Sequence, residues 1–448
     1  MAILPIDGGR YGTTEMLAIF DEQRRVDYQI QIEGAVASAQ GVLDIIPQEA
    51  AKNITKVATP GRVTTKRIAE LEAKSDHDTA ALVEALAELC AKTARPWIHY
   101  GLTSNDLVDT CTSMQMRDAL NIIIPKAIKL AHSLIHMAET HAKLPAVGRT
   151  HGQHASIISF GLKFANWAEE IAVHVERLRS ASKRVSICKT LGVVGTGSLM
   201  GQNALMVQDM VAKTLNLSPI MVATQIIPRE RYAEYIFSLA LLGSTLDKIA
   251  LEIRNLQRTE INEVAEQFKQ GQMGSSAVPV KRNPIKSERI SSLAKLLRGQ
   301  VGTAFENIAL WHERDLTNSA NERFTIPTAS ILLDEMLESI LRIIPTMVIN
   351  KDKITENLNI TQGHIFAEFV MGALIKRGIS RMSAYRAVQS VAFEALKTDI
   401  HLRDALMQDP TISQSLSIHD LNMIFDPSTR LGASLSIIHN VSEHVKRL

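Results

Sequence analysis

Residues 242–256 read LGSTLDKIALEIRNL, with Leu242, Leu246, Ile249, Ile253 and Leu256 at intervals of four, three, four and three. That heptad spacing keeps one apolar stripe on a single helix face, as a long helix packed against other helices requires. At the next positions of the stripe the chain has Glu260 and Glu263, so the seam turns polar just ahead of a Gly-rich segment. A similar period runs from Met116 to Leu144, where Pro125 is expected to kink or restart the helix. A further amphipathic stretch covers Ile331 to Ile349. These periods predict an all-α chain whose middle third is a bundle of extended helices. The pattern divides it into an N-terminal helical domain (1–116), a central long-helix domain (117–362) and a C-terminal helical domain (363–448). Asp409-Pro410 and Asp426-Pro427 are read as turns in the last of these.

Composition agrees with helix over sheet. Of 448 residues, 46% are hydrophobic but only 4% aromatic, and 23 Gly and 14 Pro lie below the usual share. The formal net charge of +2 supplies no single-sign field of the kind that draws nucleic acid or an anionic membrane. Cys90, Cys111 and Cys188 are odd in number, widely spaced and without a CxxC pair, which excludes a disulfide framework and fits a reducing compartment. The first residues acquire acidic and glycine positions too early for a secretory signal, and no uncharged run is long enough to span a bilayer. A cytoplasmic protein is expected, with no membrane and no nucleic-acid partner.

The segment after the seam, GSSAVPVKRNP (274–284), is a poor helix and a good mobile loop. Gly274 lets the backbone approach a ligand, Ser275 and Ser276 bring hydroxyls, and Lys281 and Asn283 suit an anion or a developing negative charge. Carboxylate chemistry is the expectation. Four other polar islands accompany it. His77-Asp78 stands at a helix start, where it could bind a ligand or simply cap. The run 99–106, HYGLTSND, joins His99, Thr103 and Ser104 in a turn suited to a carboxylate, or equally to an N-cap.

In GRTHGQHA (148–155), His151 and His154 stand three apart and could share a helix face. No third ligand supports a metal, so proton transfer by an imidazole is the more economical reading, and no metal or cofactor is expected. In 311–323, WHERDLTNSANER, the residues Arg314, Ser319 and Arg323 fall close to one helical face, and two guanidinium groups flanking a hydroxyl suit a phosphate or carboxylate. An ion-paired helix surface would look similar. Gly195-Thr196-Gly197 followed by Gly201 is GxGxxxG and not a dinucleotide fingerprint.

Taken in order and spacing, Arg10-Tyr11, His77-Asp78, HYGLTSNDLVDT, GRTHGQHA, the serine loop and WHERDLTNSANER resemble the adenylosuccinate lyase branch of the fumarase/aspartase superfamily over essentially the whole chain. The resemblance implies a three-domain fold with a long central helical bundle. It also implies a homotetramer with active sites shared between subunits, and a small-molecule nucleotide substrate. The implied reaction is a β-elimination that breaks a C–N bond and releases fumarate, from adenylosuccinate and from the succinyl-carboxamide ribonucleotide of purine synthesis. By resemblance Ser275 is the base, His151 the general acid, Glu288 the carboxylate that orients the histidine, and Lys281 a stabiliser of the intermediate.

The resemblance places His77, Asp78, His99, Thr150 and Ser276 against substrate, and Thr103, Ser104, Lys281 and Asn283 at the succinyl carboxylates. Arg10, Tyr11, Arg314, Ser319 and Arg323 fall at the nucleotide, and Gln225 is a further substrate amide. The chain departs from the pattern at Val278 (usually Met), Val280 (usually polar or small) and Tyr232 (expected His), which bears on loop closure and turnover. Two alternatives stand beside this reading. One is another superfamily lyase, of argininosuccinate lyase or muconate cycloisomerase type; the other is a structural protein that keeps the helical rod without activity.

Overall fold

The computed structural model describes residues 4–448. Five short or medium helices open the chain: α1 (Thr14–Phe20), α2 (Glu22–Val42), α3 (Gln48–Val57), α4 (Thr65–Ser75) and α5 (Asp78–Leu89). Long helices follow: α6 (Ser104–Thr140), α7 (Phe160–Val185), then the shorter α8 (Ala204–Thr214), α9 (Glu230–Leu256), α10 (Ile285–Glu306) and α11 (Ser319–Ile343). The chain ends in α12 (Lys351–Asn359), α13 (Ala367–Lys376), α14 (Arg381–Thr398), α15 (Leu402–Gln408), α16 (Pro410–Ser413), α17 (Ile418–Ile424) and α18 (Ser434–Val445). Among the described residues strands are confined to three two-stranded sheets: β1 (Pro145–Thr150) with β2 (Gln153–Ser159), β3 (Ile187–Cys188) with β4 (Ser218–Pro219), and β5 (Val264–Ala265) with β6 (Val348–Ile349). Helices therefore carry the fold, as the spacing predicts.

The stripe that announced the bundle is buried along its length. Leu242, Leu246, Ile249 and Ile253 have no exposed surface and Leu256 almost none. Burying each such side chain stabilises by roughly 1.5–3 kcal/mol. The helix stops at Leu256, so Glu260 and Glu263 do not continue its stripe; they lie in the segment beyond it. Pro125 does not restart a helix either. The 37-residue α6, about 55 Å long at the usual rise, runs through it and begins at Ser104, ahead of the expected start. Asp409 and Asp426 start helices as well as turns: their carboxylates cap Ile412 and Ser428 N–H groups, with proline in the first helical turn where its missing N–H costs nothing.

Two compact units emerge from the packing. The first comprises residues up to Lys126, His174–Leu246 and Ser292–Glu338. Its core gathers α2, α3, α5, the start of α6 and α8 around Ile30, Ile54, Leu86 and Leu107. The α2–α3 approach depends on Gly41, whose Cβ would sit 2.3 Å from the Ala51 methyl group. Buried charges are paired within this core. Asp106 receives Lys189 Nζ at 2.5 Å and the N–H groups of Thr103, Leu191 and Gly192. Arg229 makes two 2.8 Å bonds to Asp109 and a third to Glu322.

The second unit comprises Ala127–Val173, Asp247–Ser291 and Ser339–Leu448. The β1–β2 hairpin packs on α12, with Val147, Ile157, Leu358 and Phe366 as its small core. Helices α13 to α17 enclose a separate cluster around Val370, Leu374, Leu402 and Leu406.

Candidate functional site

His151 occupies the tip of the β1–β2 hairpin. Thr150 pairs with Gln153, leaving His151 (φ 53°) and Gly152 (φ 74°) as the two central residues of the turn. Both are positive, as the tight turns matched to strand twist require. Glycine does this freely, whereas a histidine in that region costs on the order of 1 kcal/mol or more and points to function. The imidazole is exposed at the end of a rigid two-stranded arm. His151 and His154 do not share a helix face, because the segment is a hairpin in which His154 pairs across from Arg149. Among the described residues His154 Nδ1 is buried without a partner. Burial holds its pKa below the ordinary value, and the nearby Arg149 charge adds to this against the opposing pull of Glu263.

The serine loop is folded on itself. Ser275 Oγ accepts the N–H groups of Ala277 at 3.3 Å and Val278 at 3.1 Å. Asn283 Nδ2 donates to the Gly274 carbonyl at 2.9 Å, closing the loop across its neck. Gly274 is obligatory there, since a Cβ would fall 2.1 Å from the Lys281 carbonyl. Two backbone donors on a serine oxygen favour its charged form, the kind of support an alkoxide needs. Ser276, Lys281 and Val280 are exposed, and Glu288 is exposed on the first turn of α10. Among the described residues, His151 and Glu288 form no hydrogen bond or ion pair with each other or with the loop's Ser275 and Lys281. His151, Lys281 and Glu288 are each presented outward from their own element, while Ser275 is half-buried in the loop.

In the first unit, Arg314, Ser319 and Arg323 converge on a cavity of about 130 Å³, also lined by Arg25, Asn105, Arg229 and Asn318. Arg314 does not lie on a helical face with the other two. It stands in the loop before α11, which begins at Ser319, and the loop folds it back over the helix start. Of the cations, Arg229 is committed to Asp109 and Glu322. Arg323 and Arg25 share Asp78, at 2.9 and 3.5 Å. Burial alone would raise the Asp78 pKa, but the Thr79 N–H bond and the two arginines hold it below the ordinary value. Arg314 donates to Gln225 Oε1 at 3.0 Å, while among the described residues its buried Nε and the Asn318 Oδ1 have no partner. A walled cavity lined by clustered guanidinium groups suits a compact oxyanion.

The remaining predicted residues are placed as follows. His77 is the N-cap of α5, its Nδ1 accepting Ala80 N–H at 3.2 Å. His99 has φ 60° and binds Glu33 twice, ring Nδ1 to Oε1 at 2.6 Å and backbone N–H to Oε2 at 3.1 Å. Burial would lower its pKa, yet the Glu33 hydrogen bond and the charges of Glu33 and Asp106 together raise it. Thr103 is held by Asp106, and Ser104 opens α6. Arg10 and Tyr11 stack at 5.9 Å and do not line the cavity; Gly12 and Thr13 beside them bond Glu335 and Asp334 of α11. Tyr232 is buried packing: its ring lies 4.5 Å from the Arg229 guanidinium and its hydroxyl donates to the Asp109 carbonyl at 3.4 Å.

Sequence reasoning passed over Arg25, Arg229 and Glu33. The last had a signal, a lone acid in the otherwise apolar run IEGAVASA (32–39); the arginines had none.

The class is that of a lyase: a sequence model of the family described as Lyase matches residues 9–299 of this mainly helical chain, the span that holds the serine loop and the histidine arm. A second model, Adenylosuccinate lyase C-terminus, matches residues 363–441. The chain is 42% identical over 448 residues to an adenylosuccinate lyase of Methanothermobacter thermautotrophicus, covering 100% of both. It is 39% identical to that of Methanocaldococcus jannaschii, covering 100% of this chain and 96% of the relative. Among solved structures, the 3-carboxy-cis,cis-muconate lactonizing enzyme from Pseudomonas putida superposes with TM-score 0.91 at 29% identity, covering 99% of each chain. The chain belongs to the adenylosuccinate lyase family.

Proposed function

We propose that this chain catalyses the elimination of fumarate from adenylosuccinate, giving AMP, and from the succinyl-carboxamide ribonucleotide of purine biosynthesis. The observation that carries the mechanism is the Ser275 oxygen held by the Ala277 and Val278 N–H groups in one loop with Lys281 and Asn283. Ser275 takes the proton from the carbon beside a succinyl carboxylate. The electron pair moves onto that carboxylate, and Lys281, Asn283, Thr103 and Ser104 hold the resulting dianionic form. The C–N bond then breaks, the electron pair forms the C=C bond of fumarate, and His151 delivers a proton to the departing nitrogen. Glu288 orients His151.

Arg314, Ser319 and Arg323, with Arg10 and Tyr11, hold the nucleotide; the Arg314 and Arg323 guanidinium groups on the cavity wall support an oxyanion there. His77, Asp78, His99, Thr150, Gln225 and Ser276 complete the substrate contacts. Fumarate release from adenylosuccinate, followed by absorbance, separates this activity from the lactonising chemistry for which the structural neighbour is named.

The working form is a homotetramer in which several copies contribute to each site. Large apolar side chains stand exposed along the long helices, Phe237 and Leu251 on α9, Leu296 and Phe305 on α10 and Phe324 on α11, as an assembly surface requires. Of the three-domain division, the boundary near 362 is supported by the C-terminal family match beginning at residue 363. A cytoplasmic location is supported by three free, buried cysteines. No helix of the described residues is long and apolar enough to cross a membrane.

The test is substitution of the two reacting groups. Ser275→Ala and His151→Ala should each lower kcat by 10²-fold or more, within the range typical of proton-transfer groups, while far-UV circular dichroism and sedimentation stay as in the parent. Near-normal turnover in either variant would contradict the assigned roles.

A further inference from the structure

The segment Glu263-Val264-Ala265-Glu266 sends two buried carboxylates in two directions, and each ends on an element that carries a reacting group. Glu263 has no exposed surface and takes Arg149 in two bonds, 2.5 and 3.2 Å, at the root of the turn that holds His151. Asn357 donates to the same carboxylate at 2.9 Å, and the Glu263 carbonyl accepts Asn350 N–H at 2.9 Å. Glu266 is also buried. It accepts Ser287 N–H and Oγ, both at 2.7 Å, and Lys286 N–H at 3.3 Å, so it caps the start of α10 from across the serine loop.

Gln257 strengthens the same closure. Its Oε1 accepts Glu266 N–H at 3.0 Å and its Nε2 donates to the Arg282 carbonyl at 2.9 Å, so the two ends of the loop are tied together. Between the two acids, Val264 and Ala265 pair with Ile349 and Val348, which fixes the strut between them.

We propose that Glu263 and Glu266 are positioning residues, Glu263 fixing the histidine arm and Glu266 fixing the base of the Ser275 loop, so that one short strut anchors both elements, each for the site it helps to complete. This rests on the assignment of His151 as acid and Ser275 as base. Misplacement of a reacting group by about 1 Å costs on the order of 10²-fold in rate, so anchors at the roots of both elements act on kcat and leave nucleotide binding alone.

The experiment compares two variants in the full-length assembled enzyme, with adenylosuccinate bearing protium or deuterium at the carbon that loses its proton. Glu266→Ala frees the loop base; Arg149→Leu with Glu263→Leu removes the arm's anchor without orphaning a buried charge. Each should lower kcat by about 10- to 100-fold with KM changed less than about threefold. In Glu266→Ala the primary isotope effect on kcat should rise, and amide exchange should quicken in residues 275–283. In the Leu/Leu variant the isotope effect should not rise, and exchange should quicken in residues 147–158. Glu266→Gln, which keeps an acceptor for Ser287, should recover part of the loss.

Turnover within twofold of the parent in both variants, or loss of kcat with no separation of isotope effects, would overturn the strut while leaving Ser275 and His151 in place. Retained activity in Ser275→Ala or His151→Ala would instead remove the reading on which it rests. If Glu266→Ala fails to fold, the isotope effect and exchange of Gln257→Ala, which unties the same loop base, decide the loop arm in the same way.

Discussion

At the residue scale, the chemistry depends on atoms for which the backbone leaves no alternative. Gly274→Ala would drive a methyl group into the Lys281 carbonyl and open the neck that holds Ser275. The expected result is a folded protein with kcat reduced by about 10²-fold, checked by steady-state kinetics beside circular dichroism. His99 offers a pH-dependent case. Its folded pKa is raised through Glu33, so the pair's contribution is fully present below the unfolded value near about 6.5 and lost as pH rises through the folded value. Glu33→Gln should therefore lower the urea midpoint more at about pH 6 than at about pH 9, and a uniform loss would reject the coupling. The residue types at these positions were readable in the sequence. Their partners were not, because Glu33 and His99 lie far apart in the chain and meet only through packing of α2 against the loop after α5.

At the element scale, periodicity determined which segments are helical and where their apolar faces lie, since a stripe at heptad spacing has one stable environment. It failed at 148–155, where a three-residue histidine spacing fits a helix face equally well and only strand pairing makes it a hairpin arm. It also missed that Arg229 joins α9 to α6 and α11 from within the protein. Arg229→Leu would leave the buried Asp109 and the partly buried Glu322 without their cation, and loss of one partner of such a network costs about 3–5 kcal/mol. A fall of that size in chemical denaturation is the expected outcome, together with a higher KM if Ser319 and Arg323 of α11 hold the nucleotide as proposed. An unchanged midpoint would show the network to be solvated.

At the scale of the whole molecule, the groups assigned the chemistry stand apart on a hairpin tip, a loop and a helix start, with His151, Lys281 and Glu288 exposed, which is the arrangement expected if sites are completed by other copies of the chain. Mixing Ser275→Ala with His151→Ala under conditions that exchange subunits should restore part of the activity, since some sites would then hold both an intact serine and an intact histidine. Assay of the mixture over time checks this, and flat activity despite proven exchange would refute shared sites. The sequence by itself determined the helical class, the polar islands and the family, because periodicity and motif order are properties of the chain alone. Which side chains hold those islands in place was decided only by the tertiary structure: Glu263 and Glu266 read as a polar end to an apolar seam, and become anchors only where folding buries them against Arg149 and Ser287. A buried carboxylate must find donors, and the identity of those donors is a property of three-dimensional proximity that no spacing along the chain encodes.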